Sequence, residues 1–440
     1  MLTSAPAAVS PNACAVEAAA RQFLLSLKKD CHLLVAVSGG GDSFGLLTAL
    51  DEMRIASGRP DVRLWAATVD HGLRAAAAEE AAWVASRCAR LGVAHRTLLW
   101  EGEKPASGLM AAARNARYRL LGGEAERIGA DAIVLAHTME DQAETLAMRR
   151  ARNGSALASG MAGRTLVGGA IWAVRPLLHV RREDIRAFLN ARDLRWIDDP
   201  SNDDTRFERV RMRRLLHNRV EVLANEAEKA ARAREALSLR AAALFADAVT
   251  LHDGIVAEID AGRFASEHDP ARYLLNILIP ALGGLAYGPG GAALDRAMAL
   301  CAAPHGARMT AGRCLFEKHR HSLFILREGR ALVDAEIAPG GAAVWDGRFR
   351  IENRACEPRR IRAVGDGADD PDHIAGLPRR LARLAGAVRP AVPAASGVSC
   401  SPYLAPFDRF LPGFDLALAN SLAEAFARPA YPDPALAYLR

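Results

Sequence analysis

Between residues 32 and 137 the chain alternates short apolar runs with longer amphipathic stretches, and few architectures satisfy that alternation. H-L-L-V-A-V (32–37), V-R-L-W-A-A-T-V-D (62–70), V-A-H-R-T-L-L-W (93–100) and D-A-I-V-L-A-H (131–137) read as strands. Helical spacing fills about 43–57, 75–92 and 109–128, and resumes at about 140–152. Repeated strand-then-helix units predict an α/β fold with a doubly wound parallel sheet, covered on both faces, that binds ligands beyond the carboxyl ends of its strands. At 440 residues, 50% of them hydrophobic, the chain exceeds one such domain. The expected division is an α/β domain over 1–220, a helical linker over 221–250, a smaller α+β module over 251–330, and a region of unassigned fold over 331–440. The 251–330 module closes with G-R-C-L-F-E-K-H-R-H-S-L-F-I-L-R-E, which alternates like a β-hairpin.

Three strand ends carry polar groups. The first strand stops at Ser38, followed by Gly39, Gly40, Gly41, Asp42 and Ser43. Bare glycines leading into a helix N-terminus offer backbone N–H groups and a dipole to an anion. No Lys follows the glycines, so this is neither G-x-x-x-x-G-K-[ST] nor G-x-G-x-x-G, and a divalent cation with Asp42 as a ligand is the natural counter-charge. The second strand ends in V-D-H-G-L-R, placing Asp70, His71 and Arg74 on the same edge. The fourth ends at His137 and passes through T-M-E-D-Q-A-E-T, with Asp141 and Glu144 a helical turn apart. Each feature has a plainer reading taken singly: a Gly-rich turn, a polar loop capping a helix, first-turn acids complementing a dipole. Their coincidence on one sheet edge favours a nucleotide site with Asp42 and Asp141 as metal carboxylates.

Net charge is +6, which suits a polyanionic partner where the charge clusters. It clusters at Arg206, Arg209, Arg211, Arg213, Arg214 and Arg219, and at Arg149, Arg150 and Arg152. Such runs are more often solvated helix faces. After a nucleotide-type site in a basic chain, contact with nucleic-acid phosphate is the preferred reading. Seven scattered cysteines without a C-x-x-C pair argue against a disulfide framework or a structural zinc site. The N-terminus lacks the pattern of a signal peptide, and no apolar run is long enough to span a bilayer, so a cytoplasmic location is expected.

S-G-G-G-D-S (38–43) resembles the PP-loop signature S-G-G-x-D-S of the ATP pyrophosphatases, a Rossmann-like superfamily that cleaves ATP to AMP and pyrophosphate. V-D-H-G-L-R (69–74), A-A-R-N-A-R-Y (112–118), A-H-T-M-E-D-Q-A-E-T (136–145), R-P-L-L-H-V-R-R-E-D-I (175–185) and W-I-D-D-P-S-N-D-D (196–204) follow in the order seen in the tRNA(Ile)-lysidine synthetases. That resemblance implies adenylation of O2 of the wobble cytidine in an isoleucine tRNA with a CAU anticodon, then attack by the ε-amine of lysine. It also implies that Ser38, Gly39, Gly40, Gly41, Asp42 and Ser43 hold the ATP phosphates and that Asp42 and Asp141 bind Mg2+. By the same carry-over His137 lies at the nucleotide or reacting centre, and Arg114, Arg117, Arg209, Arg211 and Arg213 face the substrates or the tRNA. The chain departs from the family where two adjacent histidines and two aspartates are usual and it has His137-Thr138 and Glu140-Asp141. It also has Val210 in place of the Asn of R-N-R-x-R. A tRNA thiolase on the same scaffold would need cysteines to carry sulfur or a cluster, and a non-catalytic RNA-binding relative would not need the intact S-G-G-x-D-S.

Overall fold

The computed structural model describes residues 13–73, 77–153, 158–198, 208–365, 374–392 and 397–434. The chain divides into two compact units, Met1–Arg234 with Pro432–Arg440, and Glu235–Tyr431.

The first unit opens with α1 (Ala13–Ser26), then alternates β1 (His32–Ala36), α2 (Gly41–Ala56), β2 (Arg63–Asp70), α3 (Ala77–Arg90), β3 (Ala94–Leu99), α4 (Leu109–Ile128), β4 (Ala132–Val134) and α5 (Met139–Asn153). A hairpin of β5 (Arg164–Val167) and β6 (Ile171–Val174) follows, then α6 (Arg182–Asn190), α7 (Glu208–Leu216) and α8 (Val220–Ala248). Strands β1–β2, β2–β3, β1–β4 and β4–β6 pair in parallel, whereas β5 runs antiparallel to β6. The order across this unit is β5-β6-β4-β1-β2-β3. The chain therefore winds outward from β1 to β3 and returns on the other side of β1 at β4. That reversal opens a crevice between the β1 and β4 ends, where open α/β sheets bind ligands. Leu33, Leu34 and Val35 of β1 are fully buried, as expected of a central strand covered on both faces.

Helix α2 packs against α1 and α6. A β-carbon at Gly45 would lie 2.3 Å from Ile185 Cγ2, so the glycine is what lets α6 approach α2 closely enough to bring its first residue, Arg182, to the crevice. Neither α1 nor the β5–β6 hairpin was predicted. An Arg- and Ala-rich helical pattern runs in the sequence from 206 to about 250, through the expected linker; the structure interrupts it at His217–Arg219 with a 3-10 turn that separates α7 from α8. The unit boundary, at 234/235, falls inside α8, and 251–330 lies in one unit with 331–431.

That second unit contains an antiparallel sheet of β7 (Val249–His252), β8 (Val256–Asp260), β9 (Arg308–Ala311), β10 (Cys314–His319) and β11 (Ser322–Arg327), in the order β7-β8-β11-β10-β9. The expected hairpin is β10–β11, paired from Cys314↔Arg327 to His319↔Ser322. Between β8 and β9 come α9 (Ala261–Ser266), α10 (His268–Gly283) and α11 (Gly291–Leu300), with α10 packed on β10 and β11. Short strands β12 (Ala335–Ile337), β13 (Ala342–Trp345), β14 (Phe349–Asn353) and β15 (Arg359–Ile361) precede α12 (Arg379–Ala387) and β16 (Val398–Pro402). The unit ends with α13 (Ala405–Asp408), β17 (Phe410–Pro412) and α14 (Leu416–Ala425).

A buried carboxylate ties 251–330 to 331–440. The side chain of Asp346, in the β13–β14 turn, is 1% exposed and accepts hydrogen bonds from Arg327 Nε at 3.1 Å and Nη2 at 3.0 Å, from Arg348 Nε at 2.6 Å, and from Arg313. The turn reaches the end of α10 because both backbones are bare there. A β-carbon on Gly347 would sit 2.2 Å from the Gly284 carbonyl oxygen, and one on Gly284 only 1.9 Å from that of Asp346. Removing one partner from a buried charge cluster leaves the others uncompensated. Asp346→Ala is therefore expected to cost about 3–5 kcal/mol, read as a fall in the denaturant midpoint; a loss below about 1 kcal/mol would mean the arginines find other anions.

Candidate active site

The first wall of the crevice is the loop from β1 to α2. Val37 still donates to the Ala67 carbonyl at 2.8 Å, so the ladder runs to the edge of the glycines. Gly39 has φ +81°, and its carbonyl accepts the Ile197 N–H at 3.0 Å. A β-carbon on Gly41 would lie 3.3 Å from the Trp196 ring, so W-I-D packs directly on the bare loop. Ser43 closes the loop on itself: its hydroxyl donates to the Gly40 carbonyl at 3.0 Å and accepts the Ser38 N–H at 3.0 Å. Gly40, at the N-cap of α2, has no side chain to satisfy the first-turn N–H groups. Those donors and the helix dipole favour an anion at this end.

The second wall is the start of α5. Asp141 Oδ2 accepts the Thr138 N–H at 2.8 Å and its hydroxyl at 3.2 Å, the reach-back half of a capping box. That leaves Oδ1 to accept from Arg209 Nη2 at 2.8 Å and Arg182 Nη2 at 3.4 Å. Arg182 Nε meanwhile donates to Asp42 Oδ2 at 2.8 Å. One guanidinium thus joins the carboxylates of both walls. Glu140 accepts the backbone N–H of Arg182 at 3.0 Å, capping α6 from a neighbouring helix. The two departures in T-M-E-D therefore have structural roles: the Thr138 hydroxyl donates to Asp141 and accepts from Arg182, and Glu140 caps α6.

Buried Glu144, one turn along α5, accepts from Arg209 Nε at 2.6 Å and Arg213 Nε at 2.8 Å. Arg209 and Arg213, expected to face phosphates, thus point at carboxylates of their own unit and dock α7 on α5. Val210 between them is buried, and Leu216 of α7 with Val220 and Leu223 of α8 joins Leu146 of α5 in an apolar layer. Arg211 lies on α7 as well. In the other basic run, Arg149 donates to the Ser159 and Gly160 carbonyls, each at 2.8 Å, while Arg150 pairs with Glu226 and Arg152 with Glu208. Arg74 and Arg206 lie outside the described residues.

His137 sits above β4 with Nδ1 3.2 Å from Arg175 Nε. Arginine only donates, so Nδ1 is the acceptor and the neutral ring carries its proton on Nε2. Burial, then the positive charge of Arg175, pushes the imidazole well below its ordinary pKa, outweighing the pull of Asp141. Arg175 is buried, and also donates to the Ala162 carbonyl at 2.8 Å, to Thr165 Oγ1 at 3.0 Å and to the Tyr118 hydroxyl at 3.4 Å. Exposed Arg114 lies over the Tyr118 ring at 5.1 Å, and Arg117 is the next arginine along α4. Burial raises the pKa of Asp42, with Arg182 opposing it. For Asp141 burial acts the same way, but Arg209 and Arg182, with the Thr138 N–H, prevail and hold it below the ordinary carboxylate value. On the β2 edge, Asp70 accepts the Gly72 N–H at 2.8 Å, the local turn of the plainer reading, and His71 meets Trp100 edge-on at 5.8 Å.

The structure thus gathers Ser38–Ser43, His137 and Asp141 around one crevice. Sequence reasoning did not single out Arg175 and Arg182. Their signal was position: Arg175 directly follows the apolar strand I-W-A-V, and Arg182 opens an amphipathic helix, both places where a cation has a structural reason to be.

The family model described as the PP-loop domain matches residues 13–220. The tRNA(Ile)-lysidine synthase of Rhizobium meliloti (strain 1021) is 40% identical over 445 residues, covering 94% of this chain and 96% of the relative. The chain belongs to the tRNA(Ile)-lysidine synthase family. The enzyme of that name from Mesorhizobium japonicum is 37% identical over 428 residues, covering 89% of this chain and 91% of its own. Among solved structures, the U34-tRNA thiolase of Methanococcus maripaludis with its [4Fe-4S] cluster covers 50% of this chain and 79% of its own at a TM-score of 0.43 and 15% identity. That likeness is too loose to bear on function.

A neutral His137 has a consequence for stability. Its folded pKa is lowered, so its contribution is complete above the unfolded value near 6.5 and is lost as pH falls from there towards the folded pKa. Between about pH 6.5 and 5, wild type should lose stability faster than His137→Gln, by up to about 1.4 kcal/mol per pH unit. Parallel denaturant midpoints for the two proteins across that window would contradict a neutral, buried imidazole.

Proposed function

We propose that this enzyme ligates lysine to C2 of the wobble cytidine in an isoleucine tRNA with a CAU anticodon, converting ATP to AMP and pyrophosphate through an adenylated cytidine. The observation that carries the reading is the meeting of Asp42 and Asp141 from the two strand ends that flank the switch point, beside a bare anion-binding loop. The chemistry needs such a site. A ring carbonyl is a weak electrophile with a poor leaving group, and transfer of AMP to O2 makes that oxygen a phosphate ester which an amine can displace.

Ser38 to Ser43 hold the phosphates through backbone N–H groups, in a loop whose bare Gly39 and Gly41 let Ile197 and Trp196 pack against it. Asp42 and Asp141 fit Mg2+: they are hard oxygen donors, they come from separate walls, and they already share a cation in the guanidinium of Arg182. Bound there, the metal supplies neutralisation of phosphate charge. His137, with Nδ1 occupied by Arg175, offers Nε2–H as a donor to an oxygen of the nucleotide or the cytidine. Arg114 and Arg117 on α4 face the substrates, and Arg211 contacts tRNA phosphate, whereas Arg209 and Arg213 orient Asp141 and Glu144. No helix among the described residues is long and apolar enough to cross a membrane, and we place the enzyme in the cytoplasm with its tRNA.

Purified protein with Mg2+, ATP, labelled lysine and the CAU-anticodon isoleucine tRNA should attach label to the tRNA and release AMP; absence of lysine incorporation would overturn the assignment. Asp42→Ala should abolish AMP formation while leaving tRNA affinity within about twofold; normal turnover would remove Asp42 from the metal site. Arg211→Ala should weaken tRNA binding and reduce the log–log salt slope by roughly one unit. An unchanged slope would take Arg211 out of the RNA interface.

A further inference from the structure

The position of Arg182 has no counterpart in the chemistry just described. Its Nε lies 2.8 Å from Asp42 Oδ2, and its Nη2 lies 3.4 Å from both Asp141 Oδ1 and Thr138 Oγ1. These are the two carboxylates assigned to the metal. The backbone of Arg182 is fixed, because Glu140 holds its N–H and it begins α6, but its side chain has rotatable bonds between that anchor and the guanidinium.

The charge around it is balanced. Asp42, Asp141 and Glu144 face Arg182, Arg209 and Arg213 through ion pairs. A bare divalent cation entering between Asp42 and Asp141 would meet carboxylates already neutralised and add uncompensated positive charge at short range. Magnesium–ATP differs, because the nucleotide's phosphates outweigh the metal's charge. They also give a displaced guanidinium a new set of oxygens, to which arginine binds in planar, bidentate fashion.

We propose that Arg182 is a positioning residue that occupies the cation position between Asp42 and Asp141 until nucleotide arrives, so that the divalent metal enters with ATP and not before it. On arrival the guanidinium moves from the carboxylates to phosphate oxygens. No covalent step is involved; one cation is exchanged for another. The inference rests on the assignment of Asp42 and Asp141 as metal ligands.

The test uses Mn2+ as the probe, titrated into the full-length protein and followed by electron paramagnetic resonance, with and without a non-hydrolysable ATP analogue. Wild type should bind Mn2+ at least about tenfold more tightly with the analogue present. In Arg182→Gln, Mn2+ should bind without nucleotide about tenfold more tightly than to wild type, narrowing that gap. Arg182→Met, which keeps an apolar stem, should behave as Arg182→Gln does and serves if the glutamine variant folds poorly. Arg182→Lys keeps the charge and should retain most of the wild-type gap. Equal nucleotide-free Mn2+ affinity in wild type and the two neutral variants overturns the proposal. A different failure marks the underlying assignment: if Asp42→Asn leaves the nucleotide-dependent Mn2+ signal unchanged, the carboxylates are not the ligands, and both readings fall.

Discussion

A chain of ion pairs running Asp42–Arg182–Asp141–Arg209–Glu144–Arg213 holds the crevice together, and the rest of the first unit is arranged around it. It links the glycine loop, α5, α6 and α7, elements far apart in sequence that pack together only if their charges compensate. Glu144 is almost fully buried and Asp141 nearly so, and carboxylates in that setting persist only with partners. The same acids that suit a metal therefore demand arginines while no metal is bound. The topology explains why they converge here: β1 and β4 are neighbours with opposite winding, so the loops beyond them diverge and leave a gap that charge must bridge.

This arrangement changes what an arginine-rich stretch means in such a chain. Net charge and clustering point to nucleic acid, and the family assignment makes a tRNA partner of this chain natural. Yet Arg209 and Arg213 are engaged with acids of their own unit, Arg149 with backbone carbonyls, and Arg150 and Arg152 with glutamates. The second unit repeats the pattern around Asp346. Arginine here builds interiors as well as surfaces. Its planar, permanently charged head can satisfy several carbonyls or carboxylates at once, as Arg175 and Arg327 illustrate.

The sheet was legible because its signal is local. Apolar runs ending in turn residues located β1 to β4 to within a few residues, and the glycines and acids at their ends located one half of the site. What escaped has a common cause. Arg175, Arg182, Arg313 and Arg327 matter through contacts with residues distant in the chain, and a charged residue read alone looks solvated. The β5–β6 hairpin is short and sits at the sheet margin with little periodicity. The interruption at His217–Arg219 lies within helix-forming composition, so propensity alone carried the pattern straight through it. Thr138 and Glu140 looked like losses against the family pattern, although Thr138 holds Asp141 and Glu140 satisfies the N-terminus of α6.

In the proposed reaction this site transfers AMP to the tRNA before lysine reacts. That order is tested most directly by incubating the enzyme with Mg2+, α-phosphate-labelled ATP and the CAU-anticodon isoleucine tRNA without lysine, then adding lysine. Label should appear on the tRNA in the first stage and leave as AMP in the second. Label that never reaches the tRNA, or a labelled tRNA that lysine fails to discharge, would contradict it.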